Sequence, residues 1–448
     1  MAMGVLKGQE ATLQVAMVCL DELVPEDDRY RRLDRLVDWS FVREQAAPYY
    51  ADELGRPSID PIVLVKLLLA GALEGITSAR ELCRVASLRL DLRRFFGFGF
   101  HERLPVHQTL SHAQTRRFVD GQLFERLFLR SLALCREHGL VEGTHLSIDG
   151  FHVEADAALA SLRASLAALA PPAEDAQEAE LERPSSVPEP PQLSLAGPCS
   201  GPTPKRRSSN RTSVSRTDPD AKLRGKPGQR PHLVFRGQVA IDRKARCVVS
   251  CRGEEADGFE GDAVEPLLDR ARFACPELLS VGADSGFAAE RVWRAVEERR
   301  LTAYIPPQPT MLPAAGEAAA SESQRRALAA RARCKSAAGI AAHRQRMADA
   351  EGVIAELKNR HGLARARCRG TPLFHLQLVV GCTALNLKRL ASHVPDAAAG
   401  VAAAASTAVA AAIEPCSSHG DRTLRAASPA AASVQPSAVV WSYSVCLN

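Results

Sequence analysis

The clearest indication of the fold is the stretch HLSIDGFHVEA, residues 145–155. Leu146 and Ile148 precede Asp149, and this short apolar run predicts a buried strand that ends at an acid. Ionising a carboxyl group in such a place is costly unless a cation or hydrogen-bond donors replace the lost water. Asp149 therefore either binds a cation or caps a turn with Gly150, since Asp-Gly is a good turn pair.

Downstream of this stretch, strand and helix patterns alternate. We expect strands in 232–242, 245–256, 278–287 and 301–308, and helices in 262–274 and 288–300. Strands first, followed by alternating helices and strands, are typical of a mixed sheet with helices on its faces. The strand at 145–155 should lie in the centre of that sheet, because the segments on both of its sides are apolar.

Upstream, residues 24–140 carry helical periodicity and predict an all-α domain of several short helices. Asp60 followed by Pro61 predicts the N-cap and first turn of one helix. Ser78 and Glu81 predict a capping box at the start of another. The sequence therefore predicts an α+β protein, in which this helical domain precedes a mixed-sheet domain at 144–390.

Two segments have the composition of disordered chain. Residues 158–230 change from Ala/Leu-rich to acidic and Pro-rich, and then to basic and Ser-rich, which predicts a largely disordered insertion in the sheet domain. Residues 391–448 are rich in Ala, Ser and Pro and predict a low-complexity tail. The apolar tract 397–413 inside this tail is too short and too rich in alanine to predict a membrane span.

The composition narrows the class of protein. Of 448 residues, 46% are hydrophobic and 24% are charged, as in an ordinary globular protein. The net charge of +5 is unevenly placed, and basic runs at 205–236 and 344–369 suit a polyanionic partner. The 12 cysteines form no C-x-x-C pair, which argues against a structural zinc site or a disulfide framework and favours reduced thiols in a cytoplasmic protein.

Two further acids complement Asp149. Asp284 follows the apolar residues Val281 and Ala283, and Glu351 lies in the basic helical segment RMADAEGVIAELK. Taken singly, Asp284 is explained as well by a turn after a strand, and Glu351 by a salt bridge on a helix surface. Taken together, the three carboxyl groups predict a site for divalent metal ions.

Three carboxylates suit Mg²⁺, which prefers oxygen ligands and keeps several waters. Two such ions about 3.5 to 4 Å apart catalyse in-line displacement at a phosphodiester, because one activates the nucleophile and the other stabilises the leaving oxygen. Lys358 lies on the same helix face as Glu351, so a phosphate contact could share that face. The histidines His145, His152 and His232 are expected to be packed residues and not metal ligands.

The chain resembles bacterial insertion-sequence transposases of the DDE type, whose catalytic domain has a ribonuclease H-like fold. The resemblance is carried by LSIDGFHVEA around Asp149, SRTDPDAKL at 215–223, GADSGF around Asp284, AEGVIAELKNRHGLARARCRG at 350–370 and NLKRL at 386–390. Residues 24–120 are similar to the N-terminal helical domain of the same family, through the segment 36–83 and the later HQTLSHAQTRRF.

The resemblance implies roles for individual residues. Asp149, Asp284 and Glu351 would be the catalytic acids, and they would bind the metal, two ions of Mg²⁺ or Mn²⁺. Lys358 would contact DNA, and Arg346 would take the role of an arginine that the family places before its glutamate.

Arg365 and Arg367, in the second basic run, are also expected to contact DNA. The chain departs from the family in two places. The positions where the family has a tyrosine and an arginine before the glutamate hold Arg344 and Met347, and Val106 precedes His107 where relatives usually have an acid.

The function implied by the resemblance is that of a DNA transposase, which cuts at the ends of its own element and joins the freed 3′-hydroxyls to target DNA. Its partners would be the terminal repeats and the target DNA, with a homodimer pairing two ends in the synaptic complex and no membrane partner. A cytoplasmic, nucleoid-associated location in a bacterium follows. Two alternatives stay open: a catalytically inactive DNA-binding protein descended from a transposase, and a metal-dependent nuclease that cuts without joining.

Overall fold

The computed structural model describes residues 17–50, 58–118, 120–164, 210, 213–225, 230–314, 319 and 321–394. Helices form the first part of the chain and a mixed sheet flanked by helices follows, so the protein has the expected α+β class. Nearly all of the predicted tail at 391–448 lies outside the described residues. So does most of the predicted insertion at 158–230.

Eight α-helices precede the sheet in the described part of the chain. They are α1 (Leu20–Leu23), α2 (Arg29–Leu36), α3 (Ser40–Ala46), α4 (Pro61–Leu73), α5 (Ala79–Leu88), α6 (Leu90–Phe96), α7 (His107–His112) and α8 (Gln122–Glu137). Asp60 caps α4 as predicted, because its side chain accepts a hydrogen bond from the amide of Ile62 over 2.8 Å. Ser78 caps α5 by accepting from the amide of Glu81, but the Glu81 carboxylate pairs with Arg84 at 2.6 Å. The predicted capping box is therefore only half formed.

Within the described ranges, eight strands form two sheets. They are β1 (His145–Glu154), β2 (Leu162–Ala164), β3 (Ser213–Ser215), β4 (Lys222–Arg224), β5 (His232–Asp242), β6 (Val248–Glu255), β7 (Ser280–Gly282) and β8 (Thr302–Tyr304). The main sheet has the order β4-β5-β1-β7-β8, with β6 also paired to β5, while β2 and β3 form a separate pair. β1 is central, as predicted. It runs antiparallel to β5 and parallel to β7, which is consistent with a ribonuclease H-like fold.

β1 continues past Asp149. In the antiparallel register with β5, Asp149 pairs with Val239, and the pairing extends as far as Glu154. Gly150 is therefore a strand residue opposite Gln238, and the Asp-Gly pair forms no turn. The prediction that the strand ends at Asp149 is wrong, because the long partner β5 sustains the ladder beyond the local apolar run.

Five α-helices follow β1 in the described residues: α9 (Val264–Ala274), α10 (Glu290–Glu298), α11 (Glu322–Lys335), α12 (Ala337–Arg360) and α13 (Thr371–His393). α12 packs on β1, whereas α13 packs on β6 and on the N-terminal helices α4 and α8. Buried apolar side chains of the helical and sheet regions form one continuous cluster. None of the helices in the described residues is long and apolar enough to cross a membrane.

Asn386 of α13 connects this helix to the sheet by hydrogen bonds to β6. The side chain is fully buried, its Oδ1 accepts from the amide of Val248 and its Nδ2 donates to the carbonyl of Val248, each over 2.8 Å. Buried polar groups are costly unless they are hydrogen-bonded in this way. The NLKRL motif thus contributes a structural contact at the start of β6.

The motif SRTDPDAKL, within the predicted insertion, hydrogen-bonds to the N-terminus of α13. Asp220 accepts from the amide of Thr371 over 2.9 Å, and Asp218 accepts from the amide of Gly370 over 3.2 Å. Both acids lie at the N-terminus of α13, where the helix dipole favours negative charge. β4 lies in the same segment and pairs with β5, so this part of the insertion belongs to the main sheet.

Candidate active site

The parallel pairing of β1 and β7 places Asp149 beside Asp284. Ser147 on β1 is the partner of Gly282 on β7, and each acid follows its member of that pair by two residues. Parallel strands advance in the same direction by the same rise per residue, and every second side chain points to the same face. The two carboxyl groups therefore meet at one edge of the sheet, where β7 ends.

Asp149 is mostly buried and held by two contacts. Its Oδ1 accepts from the amide of Gly150 and its Oδ2 accepts from Nη1 of Arg346, each over 2.8 Å. The exposed fraction of the side chain is 18% for Asp149 and 12% for Arg346. Burial raises the pKa of Asp149, Arg346 opposes this rise, and the carboxylates of Asp284 and Glu260 add to it. Arg346 alone therefore does not fully compensate the ionised form of Asp149.

Asp284 caps the short 3-10 turn Ser285–Phe287 that follows β7. Its Oδ1 accepts a hydrogen bond from the amide of Gly286 over 2.8 Å. The alternative of a turn-capping acid is therefore correct for Asp284. Its carboxylate is also near enough to Asp149 to raise the pKa of that acid. Capping and metal binding are compatible, because a carboxylate has two oxygens and about four acceptor sites.

The third predicted acid, Glu351, lies on α12 with an exposed side chain. The buried acid of the same segment is Asp349, which accepts from Nε2 of Gln345 at 2.9 Å and lies 3.4 Å from Nε of Arg246. Within the described ranges, no group of three or more His, Cys, Asp or Glu side chains is close enough to hold a metal ion. The fold thus brings Asp149 and Asp284 together, and the role of Glu351 stays a prediction.

The predicted DNA contacts lie at different depths. Lys358 is half-buried, with Nζ 5.6 Å from the ring centroid of Phe151 on β1, and burial lowers the pKa of its ammonium group. Arg365 is exposed and lies 3.5 Å from Asp156. Arg367 lies in a crevice between α4 and α13, and its Nε is buried with no hydrogen-bond partner among the described residues. Lys358 and Arg365 flank the end of β1, whereas Arg367 lies deeper.

The two residues before Glu351 that differ from the family pattern lie on the surface. Arg344 and Met347 both have exposed side chains. Arg346 points inward and reaches Asp149. The arginine of this helix that contacts the site is therefore Arg346.

His145 lies on β1 near the site but is engaged elsewhere. Its Nδ1 lies 2.8 Å from Oγ of Ser280, and burial lowers the pKa of the imidazole to about 4. The ring is consequently neutral at pH 7. Burial also lowers the pKa of His152.

Sequence reasoning missed Glu260. Its Oε2 and Oδ1 of Asp284 each lie 3.0 Å from the point where a Cβ on Gly286 would be. The segment DGFEGDA looks like an ordinary acidic loop in the sequence. Only the 3-10 turn Glu260–Ala263, which carries Glu260 over the edge of the sheet, reveals its position.

The side chains at this edge suit a divalent cation. They are carboxylates, which Mg²⁺ and Mn²⁺ prefer. Burial is the main reason that the pKa of Asp149 is raised, and the nearby carboxylates add to the rise. A bound divalent ion would lower the pKa of these acids and stabilise their ionised forms. The residues present thus offer a divalent cation two carboxylates, those of Asp149 and Asp284.

Two family models match the chain. Transposase domain (DUF772) matches residues 18–116, and Transposase DDE domain matches residues 317–391. The first match covers α1 to α7 and the second covers α11 to α13, including Glu351 and Lys358. β1 and β7, which carry Asp149 and Asp284, lie between the two matches. Searches of curated proteins and of solved structures found no match.

Proposed function

We propose that this chain, an insertion-sequence transposase of the DDE type by its two family-model matches, cuts DNA at the ends of its element and joins the freed 3′-hydroxyls to target DNA. The reaction would be metal-assisted in-line displacement at phosphodiesters. No covalent enzyme intermediate is needed, because water and the 3′-hydroxyl are the nucleophiles.

The observation that carries this proposal is the position of Asp149 beside Asp284. The matched pair Ser147 and Gly282 sets the two acids at the same edge of the sheet, and the pKa of Asp149 is raised by burial and by the neighbouring carboxylates. Residues whose pKa is perturbed by burial and by neighbouring charges cluster at functional sites. A purely structural role would not require two acids to face each other.

We propose that Asp149 and Asp284, together with Glu351 of α12, hold two Mg²⁺ ions, with Mn²⁺ as a substitute. Bound divalent ions supply charge neutralisation at the scissile phosphate and activation of the attacking oxygen. Arg346 keeps Asp149 oriented through its 2.8 Å hydrogen bond. It would release that oxygen as the cation binds and move toward the DNA phosphate.

The DNA contacts of this proposal are Arg346, Lys358, Arg365 and Arg367. Lys358 lies beside Phe151, two residues beyond Asp149 on β1, so a phosphate at the acids would be within reach of a cation. The helical region at 24–140 would recognise the element ends, and a homodimer would hold two ends in the synaptic complex. We expect the protein to act on DNA in the bacterial cytoplasm, associated with the nucleoid.

The decisive test is incubation of the purified full chain with labelled element ends, a target plasmid and Mg²⁺. Joined product supports the transposase. Cleavage without joining indicates the metal-dependent nuclease, and DNA binding without either reaction indicates a catalytically inactive DNA-binding protein. Omitting Mg²⁺ or adding a chelator should abolish both reactions.

Two variants check that the acids are responsible. Asp149→Asn and Asp284→Asn should each reduce cleavage by about 10³-fold or more, because a metal-ligand charge is lost, while DNA binding is retained. Asp262→Asn is the matched control, since Asp262 is exposed and pairs with Arg291. Cleavage that survives in either active-site variant would refute the assignment.

A further inference from the structure

We propose that the exposed side of α7, together with the π-helical turn that continues it, reads base sequence in the major groove of duplex DNA. This inference rests on the proposed function and deepens it by naming the residues that would recognise the element ends. They are Gln108, Ser111, His112, Thr115 and Arg116. The segment belongs to HQTLSHAQTRRF, a motif that has no role in the proposed active site.

The helix continues beyond the last residue of α7. Residues Ala113–Arg117 form a π-helical turn, in which the amide of Phe118 donates to the carbonyl of Ala113 over 2.9 Å. Leu110, Ala113 and Phe118 are buried and hold one side of this helix against the rest of the helical region. The five proposed residues are spaced so that they share the opposite side, and all five are exposed. Single π-helical turns are rare and are often found at functional sites.

The side chains on the exposed side are of the kinds that recognise base edges. Glutamine forms two hydrogen bonds with adenine, arginine forms two with guanine, and serine or threonine can bond to several bases. In the described part of the chain, the side chains of Gln108, His112 and Arg116 have no hydrogen-bond or ion-pair partner. Thr115 donates from Oγ1 to the carbonyl of Ser111 over 2.9 Å. Three of the five side chains are therefore free to bond to a base.

The charge of this segment suits a polyanion. From residue 103 to residue 118 the sequence contains three arginines and no acid. Arg103 is exposed in the loop before α7. Arg117 is held at the end of the helix, because its guanidinium carbon lies 4.4 Å from the ring centroid of Tyr50 and its Nη1 donates to Oγ of Ser58 over 2.9 Å. DNA phosphates attract a basic surface of this kind and leave the uncharged side chains to face the bases.

The other helices of this region are less suited to DNA. α3 and α8 each expose an acid, Glu44 and Glu137. On α5, Arg84 pairs with Glu81 at 2.6 Å, and α4 is buried on nearly all sides. An exposed acid repels the phosphate backbone, so base recognition is assigned to α7.

The helix lies beside a loop that leads to the proposed active site. Gln114, on the half-buried side of the π-helical turn, lines the same crevice as Arg367 of the loop between α12 and α13. In that loop the carbonyl of Ala364 accepts from the amide of Glu154, the last residue of β1, over 3.1 Å. Along β1, Glu154 lies about 17 Å from Asp149. A duplex has a helical turn of about 34 Å, so a single duplex is long enough to reach both α7 and Asp149.

The test is a selection from duplexes with a randomised core, made with the purified full chain in chelator so that the DNA is not cut. The unaltered chain should select a preferred sequence. Gln108→Ala and Arg116→Ala should each reduce the ratio of affinities for the preferred and a shuffled duplex by about tenfold. When the selection is repeated with each variant, the preference should be lost at one or two base pairs only, whereas a misfolded helix would lose it at all of them.

Gln122→Ala and Arg126→Ala are the matched controls. They remove the same two kinds of side chain from exposed positions on α8, and both should keep the affinity ratio of the unaltered chain. An equal loss of preference in the controls would contradict the assignment to α7.

Unchanged preference in Gln108→Ala and Arg116→Ala would also overturn the inference, and so would an unaltered chain that selects no sequence. Neither result touches the proposed function, which is tested by cleavage and joining with Mg²⁺. If the two variants lose their preference but the unaltered chain neither cuts nor joins DNA, α7 reads sequence and the proposed function falls.

Discussion

Arg346 on α12 donates a hydrogen bond from Nη1 to Oδ2 of Asp149 on β1 over 2.8 Å, and both side chains are mostly buried. The contact joins the helix that carries Glu351 to the central strand of the sheet. The proposed cation would bind the same carboxylate. Guanidinium and cation therefore compete for Asp149, and several consequences can be measured.

Replacing Arg346 should destabilise the protein when no metal is present. Arg346→Gln leaves the buried carboxylate of Asp149 without its cation, and we expect the free energy of unfolding in chelator to fall by about 1 to 3 kcal/mol. Mg²⁺ should recover part of this loss, because the cation supplies the missing charge. Thermal unfolding with chelator and with Mg²⁺ measures both effects.

Arg344→Gln is the matched control for this prediction. Arg344 lies on the same helix with an exposed side chain, so its replacement should change stability by less than about 0.5 kcal/mol. Equal stability of Arg346→Gln and the unaltered chain in chelator would show that the pair with Asp149 contributes nothing.

Replacing Asp149 should have the opposite effect on stability. Because the pKa of Asp149 is raised in the folded protein, chiefly by burial, its contribution to stability is full below the ordinary value of 3.8 and is lost as the pH rises through the folded value. Asp149→Asn should therefore be more stable than the unaltered chain at neutral pH in chelator. A gain of about 1 kcal/mol is usual for such a substitution at a functional site.

The pH dependence of stability shows whether the gain comes from removing an ionised carboxylate or from an effect of asparagine that does not depend on ionisation. The stability advantage of Asp149→Asn should shrink as the pH is lowered from neutral toward acid, and it should be absent from Asp262→Asn on the surface. Chemical unfolding at a series of pH values measures it. An Asp149→Asn variant that is less stable at neutral pH would contradict the assignment of an undercompensated carboxylate.

Lys358 and Arg365 should contribute to DNA binding through phosphate contacts. Lys358→Gln and Arg365→Gln should each weaken binding about equally for all sequences and reduce the slope of log affinity against log salt by about 1. Titrations of labelled duplex at several salt concentrations give this slope. Arg272→Gln, at an exposed position on α9, is the control. Unchanged slopes in both test variants would show that Lys358 and Arg365 do not contact DNA phosphates.

Asn386 should be essential for stability and not for chemistry. Asn386→Ala leaves the buried amide and carbonyl of Val248 without partners, so we expect a loss of about 2 to 4 kcal/mol in the free energy of unfolding. Ser392→Ala, at an exposed position on the same helix, should change it by less than about 0.5 kcal/mol. Denaturant unfolding compares the two, and a small loss in Asn386→Ala would mean that water replaces its contacts.

Local patterns in the sequence were sufficient for the class of fold and for the strands β1 and β7, which precede or carry the two predicted acids. The alternation of apolar residues predicts β1 and β7, and Asp149 and Asp284 occupy corresponding places after Ser147 and Gly282. The central position of β1 also follows from its apolar neighbours. The β-rich stretch at 145–155 matches the length of β1, but the shorter apolar run that ends at Asp149 does not, since the pairing beyond Asp149 depends on β5, which is distant in sequence.

Contacts across long sequence separations could not be predicted. Asp220 and Thr371, which meet at the start of α13, are 151 positions apart. Glu260 could not be distinguished from other loop acids, because its position depends on the turn before α9. Ser78 caps its helix as predicted. The Glu81 carboxylate could bond either to the backbone amide of Ser78 or to Arg84, and the spacing in the sequence does not show that it pairs with Arg84.

Anomalous diffraction can locate Mn²⁺ in crystals of the full chain bound to a duplex that carries its element end. We predict an anomalous peak about 2 Å from carboxylate oxygens of both Asp149 and Asp284, with Arg346 moved away from Asp149. Mn²⁺ bound elsewhere at saturating concentration, with Asp149 still paired to Arg346 and Asp284 contacting only Gly286, would contradict the metal-dependent account.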